Sequence, residues 1–297
     1  MMTIKKNNLL NQKTLAEKIV FGIMFVVFLI WAISFLYAII WLLANSLKTY
    51  NNYNDDIAKG LAFPKAGGWK FENYMQAFEK LEYNDTKLFG MFFNSLWTCV
   101  VSIGVNMFFS ACTGYVLSKY KFKGRNFIYG TAIVCMTLPI FGTGGATYTF
   151  YYITGMYDTP MYIIFSALGS FSVRFLMLYS FFKSISWEYA EAVFLDGGND
   201  FTVFFKIMIP VAFPMIMTLF ITGFIAQWNS YESLLLYMPS YPTLAVGIYK
   251  LSTKFKRDGM LTTYFASMII SMIPVIAIFI AFSDVIMKNF SIGGLKG

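Results

Sequence analysis

Long apolar runs alternate with short polar intervals along nearly the whole chain. Crossing the hydrocarbon core of a bilayer takes a helix of about 20 apolar residues. Six stretches reach that length, at roughly 19–44, 91–117, 126–152, 160–182, 208–229 and 261–287. The pattern predicts an all-α polytopic membrane protein, a single domain over residues 1–297 with six transmembrane helices. The first run follows Lys5, Lys6, Lys13 and Lys18, a basic start like that of a signal peptide. Its apolar length of about 25 residues is well beyond the roughly 7–15 of a signal core, so it is expected to remain as a first span.

Orientation follows from the short loops, because Lys and Arg are held on the cytoplasmic side. The segment Lys119-Tyr120-Lys121-Phe122-Lys123-Gly124-Arg125 carries four cations and no acid, which assigns it to the cytoplasm. Both termini then fall on the same side. Lys250, Lys254, Lys256 and Arg257 run against this scheme, in an interval set outside and only partly offset by Glu232 and Asp258. Residues 45–90 read as an outer loop holding the turn signal Phe63-Pro64-Lys65-Ala66-Gly67-Gly68, and 230–260 as another, with Pro239 and Pro242. Residues 183–207 form a cytoplasmic segment, and 288–297 a cytoplasmic tail.

Composition agrees. The chain is 58% hydrophobic and 13% charged, where a soluble domain carries about 25% charge. The net charge of +8 is confined to the intervals, so it reads as topology and not as a nucleic-acid face. There is no His, which excludes imidazole catalysis and ligation. Cys99, Cys112 and Cys135 lie inside apolar runs with no C-x-x-C pair, so neither a metal site nor a disulfide framework is expected. Gly142-Thr143-Gly144-Gly145 lacks the following Lys of a phosphate loop. If ATP drives this protein, another chain binds it.

The segment richest in information runs Ile185-Ser186-Trp187-Glu188-Tyr189-Ala190-Glu191-Ala192-Val193-Phe194-Leu195-Asp196-Gly197-Gly198-Asn199-Asp200-Phe201. It reads as helix, break, helix. Residues 187–195 are good helix formers, Gly197-Gly198 can supply the positive φ of a helix stop, and Asn199 or Asp200 can cap the next helix. Tyr189, Val193 and Asp196 share a face, and small Ala190 and Ala192 permit close backbone approach.

This segment resembles the "EAA" coupling loop of ABC importer permeases. Glu191, Ala192, Asp196, Gly197, Ile207, Pro210 and Pro214 match its pattern, while Val193, Gly198 and Ile209 depart mildly from it. The resemblance covers nearly the whole chain and is nearest to carbohydrate-importer permeases of the type that includes the second maltose permease. It rests further on Ser46-Leu47-Lys48, Pro64, Asn73-Tyr74, Asn94-Ser95, the run 115–125, Trp228-Asn229, Tyr241-Pro242-Thr243-Leu244 and the ending Gly293-Gly294-Leu295-Lys296-Gly297. The subfamily's Pro in the first span is missing, and Asn289-Phe290 replaces a more basic stretch.

The resemblance implies a type I ABC importer permease fold, a non-catalytic subunit in the bacterial cell membrane. Its partners would be a second homologous permease, two ABC ATPase subunits that bind ATP and Mg, and an external solute-binding protein delivering a sugar or oligosaccharide. No cofactor is expected in this chain. Glu188, Glu191, Ala192, Asp196, Gly197 and Gly198 would couple to the ATPases, and Gly293, Gly294, Lys296 and Gly297 would reach into their dimer. Tyr241, Thr243 and Leu244 would face the solute-binding protein.

Arg174 lies mid-span, where a charge costs about 2.5–3.5 kcal/mol on insertion scales. It reads equally as a cavity residue for substrate oxygens or as a partner of an acid or of helix-end carbonyls. Trp228 and Asn229 are the other pathway candidates. Tyr148, Phe150, Tyr151 and Tyr152 read as an interfacial belt in preference to a sugar platform. A permease for another solute is the alternative. A secondary transporter would need no coupling loop and usually shows an internal repeat or an ionisable relay. A membrane enzyme would need clustered acids or metal ligands, and the one cytoplasmic acid cluster, at 188–200, is better accounted for by the coupling motif.

Overall fold

The computed structural model describes residues 14–65, 68–138, 142–169 and 171–292. Thr14 opens α1 (Leu15–Ser46) with a capping box, its hydroxyl accepting the Glu17 N–H while the Glu17 carboxylate accepts the Thr14 N–H. α1 is apolar on every side and exposed along its length, with only Ala44, Asn45 and Ser46 buried. Such a helix is stable only when lipid covers it.

Beyond α1 the chain forms a cap at one end of the bundle. It comprises α2 (Tyr50–Asp56), α3 (Glu72–Lys80) and a hairpin of β1 (Glu82–Tyr83) and β2 (Thr86–Lys87). Asn84 and Asp85 take positive φ at the hairpin turn, a conformation their short polar side chains tolerate. α4 (Leu88–Lys119) then runs to the opposite, basic end and forms the centre of the core.

Two of the expected spans are not single helices. The stretch 126–152 is α5 (Arg125–Thr137) and α6 (Gly144–Ile153). Leu138 is driven out of the helical region by the proline that follows it, as the steric demand of the pyrrolidine ring requires. The stretch 160–182 is α7 (Met161–Ala167) and α8 (Val173–Ser184), with Ser172 capping the second helix through the Phe175 N–H. α5, at 13 residues, spans about 20 Å, short of the roughly 30 Å of hydrocarbon. Among the described residues four helices are long and apolar enough to cross alone: α1, α4, the run 200–229 and the run 261–284.

At the basic end, α9 (Glu188–Leu195) and the short α10 (Asp200–Thr202) make a hairpin. A π-helical turn over Val203–Met208 leads into α11 (Ile209–Asn229). Pro210 explains the wider turn, since it has no N–H to give and its ring would strike the carbonyl four residues back. α12 (Glu232–Tyr237) and α13 (Leu244–Arg257) return to the cap, and α14 (Leu261–Ile292) crosses once more. The helix therefore continues past residue 287, where the tail was expected to begin.

The exceptional cations of the 230–260 interval also find their place. α13 is amphipathic, burying Leu244, Gly247, Leu251 and Phe255 while Lys250, Lys254, Lys256 and Arg257 face outward. Three of them sit in its last turn, where cations complement the negative helix end.

Candidate coupling site and solute path

The α9–α10 hairpin ends α9 in a Schellman arrangement. The Gly198 N–H donates to the Val193 carbonyl at 2.8 Å and the Gly197 N–H to that of Phe194 at 3.1 Å. Gly197 has φ +80°, the left-handed region that a side chain disfavours. Gly198 is required for space: a Cβ there would lie 2.5 Å from Val193 Cγ1 and 3.0 Å from its carbonyl oxygen. Asn199, not Asp200, caps the next helix by accepting the Thr202 N–H at 2.9 Å.

Ala190 is fully buried against the bundle, whereas Ala192 stays exposed. Glu188, Glu191, Asp196 and Gly197 are exposed too, and Gly198 is half-buried. The hairpin tip is apolar and bare, Leu195 at 89% and Phe201 at 74% exposed. All six expected coupling residues thus lie on one projecting hairpin.

A set of aromatics that sequence reading did not single out for this purpose fastens the hairpin to α4. The Tyr120 hydroxyl donates to Asp200 Oδ1 at 2.6 Å and lies 3.2 Å from the Tyr115 hydroxyl. Burial, together with the Asp200 carboxylate, pushes the Tyr120 hydroxyl well above the usual phenol range. Tyr120 meets Trp187 edge to face, and Tyr115 packs on both Phe182 and Phe204. Lys119 donates to the Ile185 carbonyl at the root of the hairpin. Both tyrosines stood in the run 115–125, but the Asp200 that Tyr120 meets lay 80 residues away.

Arg174 sits at the break between α7 and α8. Its Nη1 donates to Asn106 Oδ1 at 3.0 Å, and the Asn106 amide donates in turn to the carbonyls of Ala167 and Gly169 at 3.2 and 3.0 Å. The guanidinium lies against Gly223 of α11, where a Cβ would come within 2.8 Å of Nη2. No carboxylate pairs with Arg174 among the described residues. It is half-buried and joins three helices at mid-depth.

Trp228 is buried, its indole N–H donating to the Ser271 carbonyl at 3.0 Å and its ring stacked on Phe224. With Asn229 it borders a cavity of about 350 Å³ to which Tyr231, Tyr249, Tyr264 and Ser271 also contribute. Of the expected belt, Tyr148 and Tyr151 turn inward onto Tyr162 and Tyr237, while Phe150 and Tyr152 stay exposed.

The loop expected to meet a solute-binding protein is turned inward at two of its three residues. Thr243 and Leu244 are 2% and 1% exposed, and only Tyr241 is half-exposed, edge to face with Trp97. The Leu244 N–H donates to Ser95 Oγ at 2.9 Å, and the Asn94 amide donates to the Pro242 carbonyl at 3.0 Å. Thr243 caps α13. A second pair of motif fragments also meets: the Asn73 amide donates to the carbonyls of Ser46 and Lys48, and Tyr74 bonds Ser46. Beside them the fully buried Lys48 ammonium has Asp56 Oδ2 at 3.3 Å. Gly293, Gly294, Lys296 and Gly297 lie outside the described residues. Among those described, no cluster of ligating side chains suits a metal.

The bundle, its lipid-facing first helix and the projecting α9–α10 hairpin define a polytopic helical membrane protein. Residues 107–291 match the model of the binding-protein-dependent transport system inner membrane component, and the chain belongs to that family. It is 25% identical over 272 residues to the diacetylchitobiose uptake system permease protein of Streptomyces coelicolor, covering 90% of this chain and 86% of that one. An arabinooligosaccharides transport system permease protein of Bacillus subtilis is 26% identical, with 91% of this chain and 94% of that one covered. The fold also matches a chain in the crystal structure of a bacterial ABC transporter involved in the import of the acidic polysaccharide alginate. That match has a TM-score of 0.72 at 21% identity and covers 92% of this chain and 98% of the other.

Proposed function

We propose that this chain is the permease subunit of an ATP-driven importer for a sugar or oligosaccharide. The carrying observation is the α9–α10 hairpin, with an EAA-type sequence, a glycine-built stop and an exposed apolar tip between acidic residues. A rigid knob of this kind suits a groove on a cytoplasmic ATPase. The anchorage through Tyr115, Tyr120 and Asp200 supplies the route by which movement of the knob reaches α4 and α11.

On this reading the basic end and both termini face the cytoplasm, and the cap of α2, α3, α12 and α13 meets an external solute-binding protein. A second permease completes the path, two ATPase subunits hydrolyse ATP, and this chain makes or breaks no covalent bond. The carbohydrate assignment is supported by the relatives, which are permeases named for diacetylchitobiose and arabinooligosaccharides. The aromatic and hydroxyl lining around Trp228 and Asn229 is chemistry that suits a sugar ring. Arg174 contributes a guanidinium to the path at mid-depth.

Affinity purification of the tagged chain with the gene products of its neighbours tests the proposal. Two ATPase subunits per complex and uptake dependent on the co-encoded binding protein are expected. Uptake by the chain alone, driven by an ion gradient, overturns it. The sugar itself is read from the ligand retained by that binding protein.

A further inference from the structure

The loop between α4 and α5 holds more positive charge than the fold uses. Of Lys119, Lys121, Lys123 and Arg125, Lys119 is committed to the Ile185 carbonyl, and Arg125 makes one long bond, Nη2 to the Ser118 carbonyl at 3.5 Å. No carboxylate is within ion-pair distance of Lys121, Lys123 or Arg125 among the described residues. Lys121 and Arg125 line an open cavity of about 410 Å³ together with Phe122, Gly124, Asn126 and Phe127, and Lys123 stands between them in the loop. Gly124 turns the chain there, and α5 starts with no side-chain cap, so its positive end adds to the same field. Beside the cations stand bare rings, Phe127 at 78% and Phe122 at 41% exposed.

Depth selects the ligand. α4 has 32 residues and is thus about 48 Å long, against about 40–45 Å for a bilayer with its headgroups. With the tilt of about 20° usual for membrane helices, α4 reaches about the outer edge of the headgroups, so the loop at its end lies at headgroup level and α5 turns back toward hydrocarbon. An uncompensated cationic cup next to exposed aromatic rings at that level complements an amphipathic anion.

We propose that this cup binds the phosphate of one anionic phospholipid, with Lys121 and Arg125 on the phosphate, the neighbouring Lys123 adding to the field, and Phe122 and Phe127 against the glycerol and upper acyl chains. The choice of the inner leaflet rests on the sidedness given under the proposed function; the site itself does not. Bound lipid would neutralise the loop next to the hairpin root, where Lys119 holds Ile185, and so set the charge against which the hairpin is held.

The test uses the assembled complex, purified in detergent and titrated with phosphatidylglycerol, phosphatidylcholine or inorganic phosphate. Retained lipid and subunit content are read together by native mass spectrometry. The wild-type complex should keep phosphatidylglycerol in preference to phosphatidylcholine, and inorganic phosphate should not displace it. The variant Lys121→Gln/Lys123→Gln should lose about tenfold or more in affinity for phosphatidylglycerol. Lys121→Arg/Lys123→Arg should retain it, and Phe127→Ser should weaken it several-fold with all charges present. A single Lys121→Gln serves if the double variant fails to assemble. Equal phosphatidylglycerol retention by wild type and variants overturns the proposal, as does displacement by inorganic phosphate. Loss of ATPase subunits with lipid retention unchanged assigns the patch to a protein contact and overturns it too. A Gly197→Val complex, impaired in coupling, should still bind the lipid normally, which separates failure here from failure of the transport reading.

Discussion

Two adjacent glycines carry different burdens in the coupling hairpin. At Gly197 the backbone is left-handed, which costs a residue with a side chain about 1–2 kcal/mol and a β-branched one more. At Gly198 the space is already filled by Val193, so Gly198→Ala overpacks the stop by about 1–3 kcal/mol. Both Gly197→Val and Gly198→Ala should lower uptake while the chain still inserts, measured as substrate accumulation per assembled complex; undiminished uptake would contradict the coupling role. Gly223 gives a gentler probe of Arg174. A methyl there would press on Nη2, Cζ and Nε of the guanidinium, so Gly223→Ala should displace the charge and reduce uptake several-fold with complex yield unchanged. If yield falls instead, the guanidinium acts as a brace between helices. The glycine stop was legible in sequence because helix-stop chemistry is local. The Arg174–Asn106 bond was not, since nothing in the sequence near residue 174 points to a partner 68 positions away.

At the scale of elements, the hairpin is useful only if it is fastened. Tyr120→Phe removes its bond to the Asp200 carboxylate, an interaction of a class worth about 1.5–3 kcal/mol. ATPase subunits should still copurify, but solute-stimulated hydrolysis and uptake should separate, hydrolysis persisting as uptake falls. The cap has its own fastening in Lys48, Asp56 and Lys59. Lys59 first, and Lys48 after it, hold the Asp56 carboxyl below its ordinary value of 3.8. A depressed carboxyl stabilises the fold above its unfolded pKa and loses that contribution as pH falls through the folded value. Protease cleavage of the cap should therefore be constant through neutral pH and rise only below pH 3.8; in Asp56→Asn it should be high throughout, because the buried Lys48 loses its counter-charge. Apolar continuity foretold where chain enters the membrane, but it concealed the helix ends at Thr137 and Ala167. Leu138-Pro139 and Gly169-Ser170 signalled them, yet an apolar run looks the same whether or not its helix is whole.

Over the whole molecule, the family motifs turn out to meet in pairs. Ser46 and Lys48 receive Asn73 and Tyr74, and Asn94 and Ser95 receive Pro242 and Leu244, so fragments far apart in sequence are joints of one cap. The resemblance made these fragments visible, but their pairing required three dimensions. α1 stands apart from the bundle for nearly all its length, and its main long neighbour is α14, which it meets through Trp41 on Phe265. α1 thus rests on a helix made much later in the chain. During synthesis α1 must remain in the lipid, inserted but unpartnered, until roughly 215 further residues have emerged and Leu261 begins the closing helix. Lipid solvation alone keeps it viable over that interval, which is the reason its surface is apolar on every face and carries no dedicated seam. Among the described residues, most of the surface of α1 still faces outward once the bundle has closed.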